Sequence, residues 1–482
     1  MKGRIVLAVL LLIIVILTVV FIMGQNGVDK TTQQYLQPIT LNYWRVWDGP
    51  DAFADLIAQY NASHPFVKIN YRKLTYEEYE SALIEAFASD RGPDIFSIHN
   101  TWLRKYQSKN LIGPAPSKTT MAFPYIKGSV KKEVAYELKT TQGITTKNVD
   151  SYFIDTVYDD IVIKSKDDSG VLSEQVFGLP LAVDTLILYY NKDLFNNAGI
   201  TAPPEYWNRE FQQNVKKLTK QNNQGEIIQS GIALGGSNNI VRSTDILSLL
   251  MMQNGTNMME DGAVKFNQKA GSEKDKSPGI DALRFYTDFS NPAKEVYSWN
   301  NGLEDSLKMF VDNKLAMMLG YKYMLPEIKA KAPKLNIGLA PIPQIEGSSQ
   351  KANYANYWVE VVSKSILANP ENLKKGAFYT KQKYNTAWDF IQFISNKKNV
   401  PVYLDKTKNA TALKSLIDGQ VEDEEMAMFA NQILTAKSWY RGNDANAAEM
   451  ILKEMIDKTI TDQSKIIENI DFAASKVQQT IE

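Results

Sequence analysis

Apolar and polar positions alternate in a regular order in the first folded part of the chain. Three apolar segments there have the length and composition of strands, at residues 41–46, 67–71 and 95–98. Between them, apolar residues recur every three to four positions at residues 53–60 and 79–87, and this spacing predicts two amphipathic helices. An order of strand, helix, strand, helix and strand predicts a parallel sheet.

The remainder of the chain carries the same patterns less regularly. Further strands are predicted at residues 186–190, 316–319 and 357–363, and further helices at residues 245–252, 279–289, 303–311, 386–394 and 447–460. Residues 114–170 are polar and lack a clean period, so we expect a surface excursion to which no role is assigned. Residues 25–37 are polar and aperiodic, which predicts a tether.

An apolar run lies near the N-terminus. Residues 5–23 contain no charged side chain and follow Lys2 and Arg4. A run of this length spans the roughly 30 Å of bilayer hydrocarbon, whereas a cleavable signal has a shorter apolar region and a small-residue cleavage site. We therefore expect an uncleaved transmembrane signal anchor at residues 1–24, with the rest of the chain extracytoplasmic. A cleaved signal peptide is the alternative.

The composition excludes several classes of function. The 482 residues are enough for two domains, because a single core rarely exceeds about 250–300 residues. Lys and Arg together number 54, as do Asp and Glu, so there is no positive excess to bind nucleic acid. The absence of cysteine excludes thiolate metal sites, a cysteine nucleophile and a lipid-modified cysteine. The two histidines have neither zinc nor triad spacing and no phosphate loop occurs, so no catalytic residue, metal or cofactor is predicted.

Several segments, taken in order, resemble one known family. They are RGPDIFSIHNTWLRKYQSKNLI at residues 91–112, FGLPLAVDTLILYYNKDLFNNAGI at 177–200, DNKLAMMLGYKYM at 312–324 and IGLAPIPQ at 337–344. AWDFIQFI at residues 387–394 and SWYR at 438–441 complete the series. Together they resemble the extracellular solute-binding proteins of ATP-driven carbohydrate importers, the maltose-binding-protein type. The long stretch at residues 114–170 and the predicted anchor depart from the family pattern.

The resemblance implies an α/β fold, a two-lobed clamp of the type II periplasmic-binding-protein kind. By analogy, lobe 1 would contain residues 38–183 and 360–410, and lobe 2 residues 184–358 and 411–482. Such a protein captures a sugar between its lobes by hinge closure and catalyses nothing. Its partners would be the permease and ATPase subunits of an importer, which are separate chains.

Candidate ligand-binding residues follow two of the predicted strands. A sugar offers hydroxyl groups and apolar C–H faces, so its site needs aromatic rings beside carboxylate, amide or guanidinium groups. Ligands of open α/β sheets lie beyond the carboxyl ends of the strands. Trp47 and Asp48 follow the first strand, and Asn100 and Trp102 follow the third, so both pairs are expected to face one cleft. Asp48 has a second interpretation as the N-cap of the following helix.

The resemblance adds further candidates. Asp184 matches the family's acidic position at the lobe crossing, with a solvated hinge residue as the alternative. The other candidates are aromatic or basic, and each has core packing as its alternative: Trp44, Tyr321, Tyr323, Trp358, Trp439, Tyr440 and Arg441.

Five more residues receive a structural interpretation. We expect Trp207, Trp299 and Trp388 to pack in the core. We expect His64 to be a solvated helix cap, and His99 to lie beside the cleft and orient Asn100.

Two functions of other classes stay open. A surface-anchored glycoside hydrolase would need two carboxylates about 5–10 Å apart across the scissile bond, which a sequence cannot exclude. A surface module could also bind its ligand for adhesion or sensing without transport. Peptides, polyamines and phosphate remain alternatives to a sugar.

Overall fold

The computed structural model describes residues 29–129, 132–167, 170–269, 277–424 and 426–481. Within these ranges no helix is both long and apolar enough to cross a bilayer. The segment on which the anchor prediction rests, residues 5–23, lies outside the described residues.

Helices and strands both occur throughout the described residues. The α-helices are α1 Lys30–Tyr35, α2 Asp51–Ser63, α3 Tyr76–Ala88, α4 Leu103–Ser108, α5 Thr146–Tyr152, α6 Asp155–Ile161, α7 Lys192–Asn197, α8 Arg209–Leu218, α9 Ser243–Gln253, α10 Pro278–Asp288, α11 Ser306–Val311, α12 Met324–Lys331, α13 Pro370–Lys374, α14 Ala377–Ser395, α15 Val400–Thr407, α16 Lys414–Val421, α17 Ala427–Ile433, α18 Ala445–Thr461 and α19 Ile466–Gln478. The strands are β1 Ile39–Val46, β2 Val67–Leu74, β3 Ile95–His99, β4 Ile112–Gly113, β5 Lys118–Lys127, β6 Glu133–Gln142, β7 Val162–Lys166, β8 Leu172–Val176, β9 Leu179–Pro180, β10 Asp184–Thr185, β11 Ile187–Asn191, β12 Lys220–Gln221, β13 Ile227–Gln229, β14 Met259–Glu260, β15 Ala263–Val264, β16 Met317–Gly320, β17 Ile337–Ala340, β18 Asn353–Asn356, β19 Trp358–Ser363 and β20 Ala436–Lys437.

The largest sheet has the strand order β2-β1-β3-β19-β4, with β9 also paired to β19. Strand β1 runs parallel to β2 and β3, which confirms the parallel sheet predicted from the sequence. Strand β19 returns antiparallel to β3, with Glu360 opposite Ser97. A strand from late in the chain therefore completes the sheet that the first 100 residues begin.

A second group of elements forms around the antiparallel sheet β16-β11-β17. Three chain segments connect this group to the largest sheet. Residues 179–185 pair with β19 through β9 and with β18 through β10, so they run beside residues 353–360. The third connecting segment, around Thr411, lies next to residues 179–185, because Ala182 and Thr411 form an antiparallel bridge.

Residues 114–170 differ from the predicted surface excursion. They contain the two-stranded hairpin β5–β6, helices α5 and α6, and strand β7. Val149, Val157 and Ile161 in the two helices are buried. Thr119, Met121 and Ala122 at the base of the hairpin are buried as well. The two helices and the base of the hairpin therefore pack into the core, whereas the distal end of the hairpin lies on the surface as predicted.

The predicted tether is also partly folded. Asp29 caps α1 by accepting hydrogen bonds from the N–H groups of Thr31 and Thr32. Leu36 is buried, and the ring of Tyr35 packs edge-on against Phe378 of α14. The end of the predicted tether, from Asp29 onward, is thus attached to the main body of the fold.

The predicted core tryptophans are mostly placed as expected, whereas one histidine is not. Trp299 and Trp388 are fully buried, which confirms those two predictions. Trp207 is half-buried against the core, and its Nε1 donates to Gln253. The prediction that His64 is solvated is wrong, because it is buried beside Tyr60 and Phe123.

A buried ion pair links β1 to β19. Arg45 Nη1 lies 2.8 Å from Glu360 Oε1, and both side chains are almost fully buried. The hydroxyl of Tyr43 donates to the other oxygen of Glu360 at 2.7 Å. Burial raises the pKa of Glu360, while Arg45 and Tyr43 oppose that shift.

We predict that Glu360→Ala lowers the free energy of unfolding by about 3 kcal/mol, because it leaves the buried Arg45 guanidinium without this carboxylate. Urea denaturation measures the change. The control is Glu371→Ala, which removes a solvent-exposed pair with Lys374 and should change stability by less than about 0.5 kcal/mol. Equal effects of the two substitutions would contradict the assigned role of the buried pair.

Candidate functional site

A cavity of about 350 Å³ lies between the largest sheet and the second group of elements. Its walls come from the loop after β1, the three connecting segments, the loop after β16, and helices α15 and α17. The loop after β1 and Trp358 of β19 belong to the largest sheet, whereas the loop after β16 belongs to the second group. The cavity is therefore bounded by both halves of the fold.

The loop after β1 places Trp47 in the cavity wall through an unusual turn. Trp47 has a φ of 72°. The N–H of Asp48 donates to the carbonyl oxygen of Val46 at 2.9 Å, which makes a γ-turn with positive φ. Such a turn is strained for a bulky residue, and strain of this kind is concentrated at functional sites. The turn leaves the Trp47 side chain 44% exposed in the cavity wall.

Stacked rings cross the cleft at this point. The Trp47 ring stacks on Tyr76 at a centroid distance of 5.3 Å and on Tyr323 at 5.4 Å. Tyr76 begins α3 beside the largest sheet, whereas Tyr323 follows β16 in the second group. Trp358 lies edge-on to Tyr76 at 6.3 Å and lines the same cavity. The cleft thus offers several flat apolar faces.

Asp48 lies beneath these rings in a fixed position. Its Oδ2 accepts hydrogen bonds from Arg45 Nη2 at 2.8 Å and from the Tyr403 hydroxyl at 3.1 Å. The hydroxyl of Tyr71 donates to its backbone carbonyl at 2.8 Å. The N-cap interpretation of Asp48 is wrong, because the N-cap position of α2 is Pro50 and no side chain caps the helix.

Asp184 forms the opposite part of the cavity wall. Its Oδ1 accepts from the N–H of Thr185 at 2.9 Å, and its Oδ2 accepts from the N–H of Lys322 at 3.2 Å. Burial raises the pKa of the Asp184 carboxyl to about 7, although these N–H groups and the Lys322 ammonium act in the other direction. Both oxygens of Asp184 therefore accept hydrogen bonds from backbone N–H groups that belong to two different elements.

A smaller chamber of about 70 Å³ adjoins the same aromatic stack through Tyr76. It is lined by Trp102, Trp439 and a charged cluster. Arg242 in this cluster makes two hydrogen bonds to Asp245, from Nε at 2.8 Å and from Nη2 at 3.0 Å. Because this guanidinium is already paired with a carboxylate, the chamber fits a neutral ligand better than an anion.

His99 also lines the smaller chamber. Burial and the nearby Arg242 lower the pKa of His99 to about 4, so the ring is neutral near pH 7. Its Nδ1 lies 2.8 Å from Thr101 Oγ1, and the side chain caps the short helical turn of residues 100–102. The structure gives His99 a capping role in place of the predicted orientation of Asn100. Among the residues that the structure describes, no group of acidic or histidine side chains is arranged to hold a metal ion.

The structure brings eight of the twelve predicted site residues to the cleft. The larger cavity contains Trp47, Asp48, Asp184, Tyr323 and Trp358, and the smaller chamber contains Trp102, Trp439 and Tyr440. In the smaller chamber, Trp439 Nε1 donates to Ser248 Oγ at 3.1 Å, so the orientation of this ring is fixed.

The other four predicted residues do not line either chamber. Tyr321 is fully buried and donates its hydroxyl to Asp245. Trp44 lies under the guanidinium of Arg72, 4.6 Å from the ring centroid. The remaining two, Asn100 and Arg441, both contact Asp160.

Asp160 is a residue that the sequence analysis missed. This buried carboxylate in α6 accepts from Asn100, from the Tyr357 hydroxyl at 2.6 Å, and from Arg441 Nε at 3.1 Å. Ser438 donates to it as well. Its partners come from the first sheet, a connecting segment and the C-terminal part of the chain. Asn100 and Arg441 are therefore bound to a structural carboxylate behind the cleft.

Other cleft residues were also missed. Tyr76 directly follows β2, so the strand-end rule that selected Trp47 could have found it. Lys322 follows β16, and Asn356 ends β18. These strands pair antiparallel with β11 and β10, so the rule for parallel sheets does not select the two residues. Tyr403 and Glu449 lie inside helices α15 and α18, where nothing in the sequence distinguishes them from surface or packing residues.

A cleft between two α/β halves, joined by three chain segments and walled by rings and hydrogen-bonding groups, defines a protein that encloses a small ligand. The family model described as bacterial extracellular solute-binding protein matches residues 47–401, and the chain belongs to this family. The family consists of binding proteins, and membership fits an extracytoplasmic folded part.

The individual relatives share less than a third of their aligned residues with this chain. A binding protein of Brucella abortus is 29% identical over 181 residues, which are 36% of this chain and 39% of the relative, so the chain spans about two-fifths of its length. The maltodextrin-binding protein of Bacillus subtilis is 24% identical over 364 residues, 72% of this chain and 76% of the relative. The structure of the cyclic α-maltosyl-1,6-maltose binding protein of Arthrobacter globiformis matches with a TM-score of 0.64 at 18% identity, covering 92% of this chain and 99% of that one. This likeness confirms the two-lobed α/β fold.

The raised pKa of Asp184 predicts a pH dependence of stability. A carboxyl whose pKa is higher in the folded than in the unfolded state favours folding at low pH, and this contribution is lost as the pH rises from about 4 to about 7. We expect the unfolding free energy of Asp184→Asn, measured by urea denaturation, to decrease less over this range than that of the unmodified protein, while Asp389, whose pKa burial raises to about 6, contributes to the decrease in both.

The control residue for this prediction is Asp312, whose pKa is shifted in the opposite direction. Hydrogen bonding to Lys308 lowers the pKa of the Asp312 carboxyl, so this group favours folding at higher pH. Asp312→Asn should therefore leave the decrease between pH 4 and 7 in place. An Asp184→Asn profile parallel to that of the unmodified protein would contradict the assignment.

Proposed function

We propose that this protein captures a carbohydrate, an oligosaccharide, in the cleft between its two lobes and delivers it to an ABC-type importer. The observation that carries the proposal is the cavity wall, where Trp47, Tyr323 and Trp358 lie beside Asp48 and Asp184. Rings of this kind match the C–H faces of a sugar, and the carboxylates match its hydroxyl groups.

The size of the cleft supports a sugar ligand. The cavity volume of about 350 Å³ lies within the range of about 300–1,000 Å³ that small-ligand sites occupy. The names of two relatives also support a sugar. One is a maltodextrin-binding protein, and the other is a cyclic α-maltosyl-1,6-maltose binding protein. Capture without reaction also agrees with a family of binding proteins.

Hinge closure supplies the mechanism. A ligand that contacts Trp47 on one lobe and Tyr323 on the other binds more tightly when the lobes are closed, so it shifts the population toward that state. The three connecting segments around Asp184 and Asn356 are where the lobes pivot. The closed form is then the one that the importer recognises.

The lobe boundaries and the anchor complete the proposal. We assign residues 38–183 and 360–410 to lobe 1, and residues 184–358 and 411–482 to lobe 2. The apolar residues 5–23 are assigned as an anchor that holds the lobes at the outer face of the membrane.

A ligand panel tests the proposed function. Full-length protein is heated with maltotetraose, mannotriose, a tetrapeptide or spermidine, and unfolding is followed by fluorescence. A true ligand at about a hundredfold excess over its dissociation constant adds about 2.7 kcal/mol of stability, and we expect this from an oligosaccharide. Stabilisation by the peptide or spermidine alone would reject a sugar as the ligand, and chromatography of the recovered sugar would reveal hydrolysis.

We further predict that Trp47→Ala weakens sugar binding about tenfold, because it removes the ring that contacts both lobes. Isothermal titration measures the dissociation constant. The matched control is Phe472→Ala, which removes an exposed ring from α19 outside both cavities. Equal affinities for the two variants would exclude Trp47 from the site.

A further inference from the structure

The hairpin β5–β6 projects from the body of the fold and pairs with no other described strand. Its ten cross-strand pairs run from Lys118 opposite Gln142 to Lys127 opposite Glu133. At about 3.4 Å per residue, the ribbon is roughly 30 Å long. Its base is fixed in the core, where Gln382 of α14 donates to the carbonyl of Thr120 at 3.0 Å.

The distal end of the hairpin is apolar and exposed on both faces. Ile126 is 62% exposed and lies opposite Val134, which is 41% exposed. Tyr125, on the other face, is 42% exposed and lies opposite Ala135. A solvent-facing apolar cluster on a two-stranded ribbon adds no stability to the fold. Exposed apolar patches of this kind mark contact surfaces.

Lysine side chains border this apolar end. Lys127 ends β5 and Lys132 precedes β6, and both are exposed. Long lysine side chains beside tyrosine and aliphatic residues are the combination found where proteins enter the interface of a bilayer, because the stems lie along apolar surface while the ammonium groups meet anionic headgroups.

The path of the chain brings the hairpin close to the proposed anchor. Helix α1 contacts both strands of the hairpin. Six peptide units separate Met23, the end of the apolar run, from Asp29, the cap of α1, and they span at most roughly 20 Å. If residues 5–23 cross the membrane, a ribbon roughly 30 Å long beside α1 is within reach of the bilayer surface.

We propose that the end of the hairpin, formed by Tyr125, Ile126 and Val134 with Lys127 and Lys132, inserts into the interface of an anionic membrane. This second contact orients the lobes above the bilayer. The inference rests on the anchor in the proposed function and is independent of which ligand the cleft binds.

Site-specific labelling tests the inference, because the natural chain has no cysteine. Full-length Ile126→Cys carries an environment-sensitive nitrobenzoxadiazole label and is reconstituted into vesicles of phosphatidylcholine and phosphatidylglycerol. The matched control is Met450→Cys, an equally exposed apolar position on α18 that is 64% exposed. We expect the label at position 126 to be quenched by spin-labelled lipid, with iodide access several-fold below that of the control.

A charge-reversal pair tests the lipid preference. Lys127→Glu with Lys132→Glu should reduce protection of the label at position 126 in vesicles with phosphatidylglycerol. The same reversal at Lys329 and Lys334, exposed lysines of the second lobe, should leave it unchanged.

Two outcomes would overturn the inference. If the protein floats with the vesicles while iodide reaches position 126 as easily as position 450, the apolar end is available to a protein partner instead of lipid. If the protein does not float with the vesicles, the anchor assignment fails and the hairpin inference fails with it. The oligosaccharide-induced thermal shift, measured on the same sample, separates either failure from a failure of ligand capture.

Discussion

The buried Arg45–Glu360 pair is the constraint on which the cleft depends. It joins β1 to β19, which lies more than 300 residues later in the sequence. Arg45 also holds Asp48 at 2.8 Å, so the same guanidinium that fixes the returning strand fixes the loop that carries Trp47. A charge removed from water needs charged or polar partners, and Arg45 finds them on both the returning strand and the loop that forms the cavity wall.

The ring of Trp47 is held from two directions. Its backbone has a strained turn, while its side chain lies between Tyr76 and Tyr323. The strain is tolerated because Asp48, directly after the turn, is bound by Arg45 and Tyr403. A flexible loop in this place would lose entropy on binding, whereas a ring that is already held in position loses little further freedom.

The sequence predicts the parallel sheet well, because uninterrupted apolar strands and amphipathic helices have clear periods. It predicts the edge of the sheet where the cleft opens, but not which way each side chain points. Asn100 follows a strand as Trp102 does, yet it turns toward Asp160, a partner 60 residues away. His64 is buried for the same kind of reason, because Phe123 and Asp389 come from distant parts of the chain.

The three connecting segments determine how the lobes can move. They lie side by side and are joined by hydrogen bonds, with Asp184 opposite Asn356 and Ala182 opposite Thr411. In the proposed mechanism, closure has to carry all three segments together, because each is tied to its neighbour by main-chain pairing. The hinge is therefore a short β ribbon and not three independent linkers.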